Sequence, residues 1–184
     1  MRIFQTFLLP DDLVAKYKLS FAAANFSRNL TRGLVFDKVY SLLPVNVGGK
    51  LPPIKEDGYE LVYSNCRKLG IYIAKLAIFY EQWMIFKKIN KEDSLWLYNI
   101  NVINSLLFIL IKVFKPLVKL NIIVLDFTPP INWKEQNYWY LKLINKAHGA
   151  IFLADSNLFT VKNKAILPGV VPFASKAYPE IVEP

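Results

Sequence analysis

Apolar residues in this chain fall into short unbroken runs, separated by longer stretches in which they recur at helical spacing. Six runs read as strands: Arg2–Leu9, Asp37–Leu43, Tyr59–Tyr63, Ser94–Tyr98, Leu120–Asp126 and Ala150–Ala154, with Lys164–Leu167 as a seventh candidate. Several are continuous rather than alternating, as expected for strands covered on both faces. Helices are expected between them. Ser20 suits the N-cap of Phe21–Leu30, Gly33 a stop, and Ala22, Ala23 and Ala24 allow close approach to a sheet. Ile71–Ile89 is apolar on most sides, with a narrow polar stripe of Lys75, Glu81, Gln82 and Lys88. Such a helix is either wedged between layers or dipped in a membrane interface. Asn101–Phe114, ended near Pro116, and Asn137–Ala147 complete the set.

Strands alternating with helices predict an α/β fold: a Rossmann-like, doubly wound parallel sheet with helices on both faces, in a single domain. Right-handed crossovers follow. The longest connection, Pro44–Gly58, carries Gly48, Gly49, Pro52 and Pro53 and reads as a flexible turn or an acceptor-binding lid. Ser94–Ile111 is the longest uncharged run and approaches the length of a membrane span. Asn99, Asn101 and Asn104 interrupt it, and unpaired amides are costly in lipid, so it reads as strand, polar turn and helix.

Composition narrows the class. The 184 residues are 54% hydrophobic and 15% aromatic, enough for a folded core. Cys66 is the one cysteine, which excludes an internal disulfide and fits a reducing compartment. Met1–Pro10 leads into Asp11 and Asp12 without a small-residue cleavage site, unlike a secretory leader. A cytoplasmic location is expected, with peripheral attachment to the inner face of the membrane as an option. The net charge of +9 favours anionic partners. The lysines are dispersed: Lys87, Lys88 and Lys91, then Lys112, Lys115 and Lys119, then Lys142 and Lys146, then Lys162 and Lys164. They edge apolar helices, either as solvated faces or as a basic rim for a membrane surface; nucleic acid is not an expected partner.

Most familiar chemistries lack their residues. There is no Gly-x-Gly-x-x-Gly after the first strand, no phosphate loop and no Gly-x-Ser-x-Gly elbow. One histidine and one cysteine cannot build an ordinary His/Cys metal site, and no metal or tightly held cofactor is expected. His148, the sole neutral-pH base, lies at the end of a predicted helix away from the predicted crevice. Ligands of open parallel sheets bind beyond the carboxyl ends of the strands. Four polar loops leave those ends: Pro10-Asp11-Asp12, Asn99-Ile100-Asn101 with Asn104, Asp126-Phe127-Thr128-Pro129-Pro130, and Asp155-Ser156-Asn157. With Trp133 nearby they suit a sugar or another polar acceptor. The first backbone N–H groups of the Ser20-capped helix, at Phe21, Ala22 and Ala23, suit an anion. Candidate acceptor-binding residues are therefore Asp11, Asp12, Ser20, Asn25, Asn99, Asn101, Asp126 and Thr128; no catalytic residue is assigned.

Several segments resemble the N-terminal domain of family-4-like glycosyltransferases of the GT-B fold. They are Ser20-Phe21-Ala22-Ala23-Ala24-Asn25-Phe26, Asp37-Lys38-Val39-Tyr40-Ser41, Ile122-Ile123-Val124-Leu125-Asp126-Phe127-Thr128-Pro129 and Asn145-Lys146-Ala147-His148-Gly149-Ala150-Ile151-Phe152-Leu153-Ala154. Lys164-Ala165-Ile166-Leu167-Pro168-Gly169-Val170-Val171-Pro172 resembles the exit to the interdomain linker. The resemblance implies an acceptor-side domain over residues 1–172 and a linker over 173–184. It implies a donor-binding C-terminal domain or partner chain carrying a Glu-x7-Glu element, without which this half is inactive. The reaction implied is sugar transfer from a nucleotide-sugar to a glycan or lipid-linked acceptor, hexosyltransferase-type, retaining and metal-free, as in polysaccharide or lipopolysaccharide biosynthesis. The glycine-rich loop usual after strand one is replaced by Pro10-Asp11-Asp12. Two other classes fit the same pattern: a non-catalytic module docking on a membrane or partner protein, and a nucleotide-binding regulator.

Overall fold

The apolar runs do form strands. A computed structural model describes residues 1–16, 21–41, 52–56, 58–63, 71–125, 127–130, 132, 134–153 and 156–167. Its strands are β1 (Arg2–Thr6), β2 (Lys38–Ser41), β3 (Ile54–Glu56), β4 (Tyr59–Tyr63), β5 (Ser94–Tyr98), β6 (Lys119–Val124), β7 (Gly149–Phe152) and β8 (Asn163–Ile166). Its helices are α1 (Asp11–Lys16), α2 (Phe21–Gly33), α3 (Ile71–Lys88), α4 (Val102–Phe114) and α5 (Gln136–Asn145). The strands make one sheet in the order β3-β4-β2-β1-β5-β6-β7-β8. Every pairing is parallel except that of β3 with β4.

Alternate residues of each strand feed two cores. Ile122 and Ile123 are both fully buried, yet face opposite ways, as the pleat requires. On one face Leu95, Leu97, Leu120 and Phe152 pack under Ile85, Phe86 and Ile89 of α3, Leu107, Phe108 and Ile111 of α4, and Ile144 of α5. On the other, Phe4, Val39, Leu61 and Ile123 meet Val14 of α1 and Ala24, Phe26 and Leu30 of α2. Each such side chain, once covered, contributes about 1.5–3 kcal/mol. The doubly wound arrangement expected from the pattern is the one observed.

Four local details correct the expectations. Strand one ends at Thr6, not Leu9. Leu8 is buried, but its N–H and C=O bond to the Ser41 hydroxyl (3.0 and 2.6 Å) instead of continuing the ladder. Pro10-Asp11-Asp12 is not merely a loop: it opens α1, with the Pro10 carbonyl accepting from Leu13 and Val14 N–H at 3.0 Å. Two carboxylates in a first turn complement the helix dipole, which the short run concealed. The Pro44–Gly58 connection contains β3, paired antiparallel through Ile54↔Leu61 and Glu56↔Tyr59; residues 42–51 and 57 of it lie outside the described residues. Gly58 supplies the φ of 89° that the reversal needs. Finally, Gln82 of the supposed polar stripe is fully buried, while Leu76, Phe79 and Tyr80 of α3 face outward.

Gln82 lies over a polar spot in the sheet. Gln5 Nε2 donates to Gln82 Oε1 at 2.9 Å. Gln5 is level with Tyr40 on the adjacent strand. Gln5 Oε1, Gln82 Nε2 and the Tyr40 hydroxyl are buried without a hydrogen-bond partner. Burial, assisted by Glu60, pushes the Tyr40 hydroxyl up to about 12.

Candidate functional site

The strand order reverses at β1. The chain first moves from β1 to β2, β4 and β3, then returns to place β5 on the other side of β1. A switch point therefore opens between the carboxyl ends of β1 and β5, where open α/β sheets bind ligands. Because β1, β5, β6 and β7 are parallel in register, the loops beginning at Phe7, Asn99, Leu125 and Leu153 all leave the same edge. Two of the predicted polar loops, at Asp11 and at Asn99, flank the switch point.

The β1 side of this rim is fastened from below and behind. Thr6 and Ser27 share a buried hydroxyl–hydroxyl bond of 2.6 Å between β1 and α2. Arg28 of α2 then gathers two predicted site residues. Its guanidinium donates to Asp11 Oδ1 at 2.8 Å, to Asn25 Oδ1 at 3.1 Å and to the Leu9 carbonyl at 3.4 Å. Asp11, Asp12 and Asn25 are exposed. Arg28 was missed in the sequence. Only its spacing of three from Asn25 on one helix face was a local signal, since Asp11 is seventeen residues away.

The β5 side is a web of amides. Asn99 adopts φ 47°, which asparagine tolerates better than most residues. Its N–H donates to the Ile123 carbonyl (2.7 Å) and its Oδ1 accepts from Leu125 N–H (2.8 Å), tying the β5 exit to the β6 exit. Asn101 caps α4: its Oδ1 accepts from Ile103 and Asn104 N–H at 2.9 and 3.1 Å. Asn104 Oδ1 accepts in return from Asn101 N–H at 2.9 Å, a reciprocal capping box. The buried Asn104 amide also donates to the Asn99 carbonyl at 2.5 Å. The oxygens of Asn99 and Asn101 thus hold the rim in shape.

Beyond β6, Thr128 is exposed and its carbonyl accepts from Asn137 Nδ2 of α5 at 2.9 Å. Phe127 packs edge-on against Phe159, which stacks on Phe152. These aromatics, with Pro129, Ser156 and Leu158, line a small hollow of about 120 Å³ between the β6 and β7 exits. Ser20, Asp126, Trp133 and Asp155 lie outside the described residues, as do Cys66 and residues 168–184. The predicted residues thus divide. Asn99 and Asn101 shape the rim; Asp11, Asp12, Asn25 and Thr128 present oxygen and amide groups to solvent around it.

The largest hollow is elsewhere. About 930 Å³ opens at the amino edge of the strands, against Arg2, Phe36, Asp37, Trp96, Lys119 and Asn121. His148 is at that edge too. Its Nδ1 accepts from Leu120 N–H at 3.2 Å, and burial, then Lys112 and Lys119, hold its pKa below the usual imidazole range. It stands at the opposite edge from the polar rim. Among the described residues no group of three His, Cys, Asp or Glu is placed to hold a metal ion, and no helix is long and apolar enough to cross a membrane.

Comparison with known proteins decides the architecture. The trehalose-6-phosphate synthase OtsA matches with a TM-score of 0.56 at 9% identity, over 86% of this chain and 41% of its own. An apo OtsA structure matches with 0.51 at 8% identity, over 83% and 40%. The α,α-trehalose 6-phosphate synthase of Burkholderia multivorans gives 0.49 at 8%, over 87% and 41%. The fold is Rossmann-like and of the GT-B kind. The chain spans about two fifths of the length of these solved structures. No family model and no curated protein matches it.

Proposed function

We propose that the chain is the acceptor-binding half of a glycosyltransferase, one that moves a sugar from a nucleotide-sugar to a glycan or lipid-linked acceptor. The observation that carries this reading is the convergence of the polar exits of β1, β5 and β6 on one edge, around the switch point of a GT-B-type sheet. Asp11, Asp12, Asn25 and Thr128 are suited to hydrogen-bond sugar hydroxyls, and the rigid web of Asn99, Asn101 and Asn104 holds their loops. Such a half acts by positioning: it holds an acceptor hydroxyl in line with the donor carbon. Asp126, at the β6 exit in the sequence, is proposed to orient that hydroxyl. The family-4-like motifs support a hexosyl donor held by a second domain or partner chain, with retention and without a metal, in polysaccharide or lipopolysaccharide assembly.

Saturation-transfer NMR tests this on the chain alone, against free sugars, sugar phosphates, a short-chain lipid-linked sugar and nucleotide-sugars. Acceptor-type sugars should receive saturation, and Asp12→Ala with Thr128→Val should abolish it. Saturation of nucleotide-sugars alone would instead assign this half to the donor.

A further inference from the structure

The outer surface of α3 and α4 carries side chains that neither core uses. Both helices follow a strand and lead to the next parallel one, so they run side by side from the carboxyl edge to the amino edge. At their far ends the Phe86 and Phe114 rings meet at 6.2 Å. Phe79 and Tyr80 of α3, Ile109, Val113 and Phe114 of α4, and Leu117 just beyond it are exposed, the last two by 66% and 70%. On α4 the pattern is periodic: Val102, Leu106, Ile109 and Val113 recur at spacings of four, three and four, so the helix has an apolar stripe facing away from its buried one. Scattered apolar residues on a surface are ordinary; a two-helix patch with its own periodicity marks a contact.

Charge identifies the contact. Lys87, Lys88 and Lys91 are exposed at the amino-edge end of the patch, with the Lys87 ammonium over the Trp83 ring at 5.6 Å. Lys115 is anchored between the helices, donating to the Phe86 and Ile89 carbonyls at 2.5 Å. Of the two nearby carboxylates, Asp93 is taken by the Met1 amino group at 2.8 Å, leaving Glu92 exposed. A second copy of this chain would bring like-charged lysines together. Aromatic and aliphatic side chains beside exposed lysines fit an interface of acyl chains and anionic headgroups.

We propose that this face docks on an anionic lipid surface, lying on it without crossing it. The surface stands apart from the polar rim, so the proposal does not depend on the transferase reading.

Vesicle sedimentation of the full chain tests it, with phosphatidylcholine alone and with roughly one-third phosphatidylglycerol added, at about 0.05 and 0.5 M salt. Binding is expected only to the anionic vesicles and should weaken strongly at high salt. Replacing Lys87, Lys88 and Lys91 together by Gln should weaken it about 100-fold, at roughly fivefold per lysine. Phe114→Ser with Leu117→Ser should abolish it without changing the melting temperature, since both side chains are exposed. Val35→Ser, exposed beyond the end of α2, should leave it intact. The proposal is overturned by equal binding to neutral vesicles, by no binding at all, by binding that survives both sets of substitutions, or by a salt-insensitive dimer that Phe114→Ser with Leu117→Ser dissociates.

Discussion

Replacing Asn104 by alanine would show whether the rim at β5 is held by its amide web. Asn104 is fully buried and serves two main-chain groups: it accepts from Asn101 N–H at 2.9 Å and donates to the Asn99 carbonyl at 2.5 Å. A buried group left without its partner costs about 1–3 kcal/mol. Two such groups, less about 0.5 kcal/mol regained from the better helix propensity of alanine, give a loss of about 2–4 kcal/mol. For a chain of this length that lowers the melting temperature by about 5–12 °C. Urea unfolding followed by far-ultraviolet circular dichroism should show a lower midpoint at unchanged slope. Asn101→Ala alone should cost about 1 kcal/mol, and the double variant should fall short of the sum because the two side chains form one box. A change of under about 0.5 kcal/mol for Asn104→Ala would refute the reasoning.

Asn99→Ala loses both the tolerated positive φ and the bond to Leu125 N–H, so it should cost about 2–3 kcal/mol; Asn99→Gly should cost about half that, read in the same urea assay. Gln82→Leu strands the Gln5 amide and should destabilise by about 1–3 kcal/mol. Adding Gln5→Leu should restore most of it, giving a coupling energy that a pair of independent sites would lack. His148 titrates below its ordinary range in the fold, so the unfolded chain takes up the proton first as pH falls. Its contribution to stability is complete above about pH 6.5, declines below that through the folded-state pKa, and is constant below it. His148→Gln should flatten that part of the midpoint-against-pH curve.

The sheet was legible because its strands are covered on both faces. Ser94–Tyr98 and Tyr59–Tyr63 stand at the bounds their apolar runs suggest. The helix over Val102–Phe114 was legible from Asn101, whose capping box is written in the residues themselves. The shortest elements were not. One turn and a half of α1 is too short for periodicity, and β3 owes its strand state to pairing with β4. Spacing on α3 misassigned Gln82 because the helix is apolar on two sides, so its buried face could not be told from its outer one. Of the candidate site, the choice of edge followed from topology alone. Which amides shape the rim and which face outward did not, since Asn99 and Asp11 have partners at Leu125 and Arg28.

The most direct measurement is the nitrogen–proton correlation spectrum of the labelled chain, titrated with the acceptor sugar that gives the strongest saturation transfer. Shifts should cluster at residues 7–12, 99–104 and 127–130, which share the carboxyl edge. Shifts clustering instead at Arg2, Asp37, Trp96, Lys119 and Asn121, around the hollow at the opposite edge, would contradict the account.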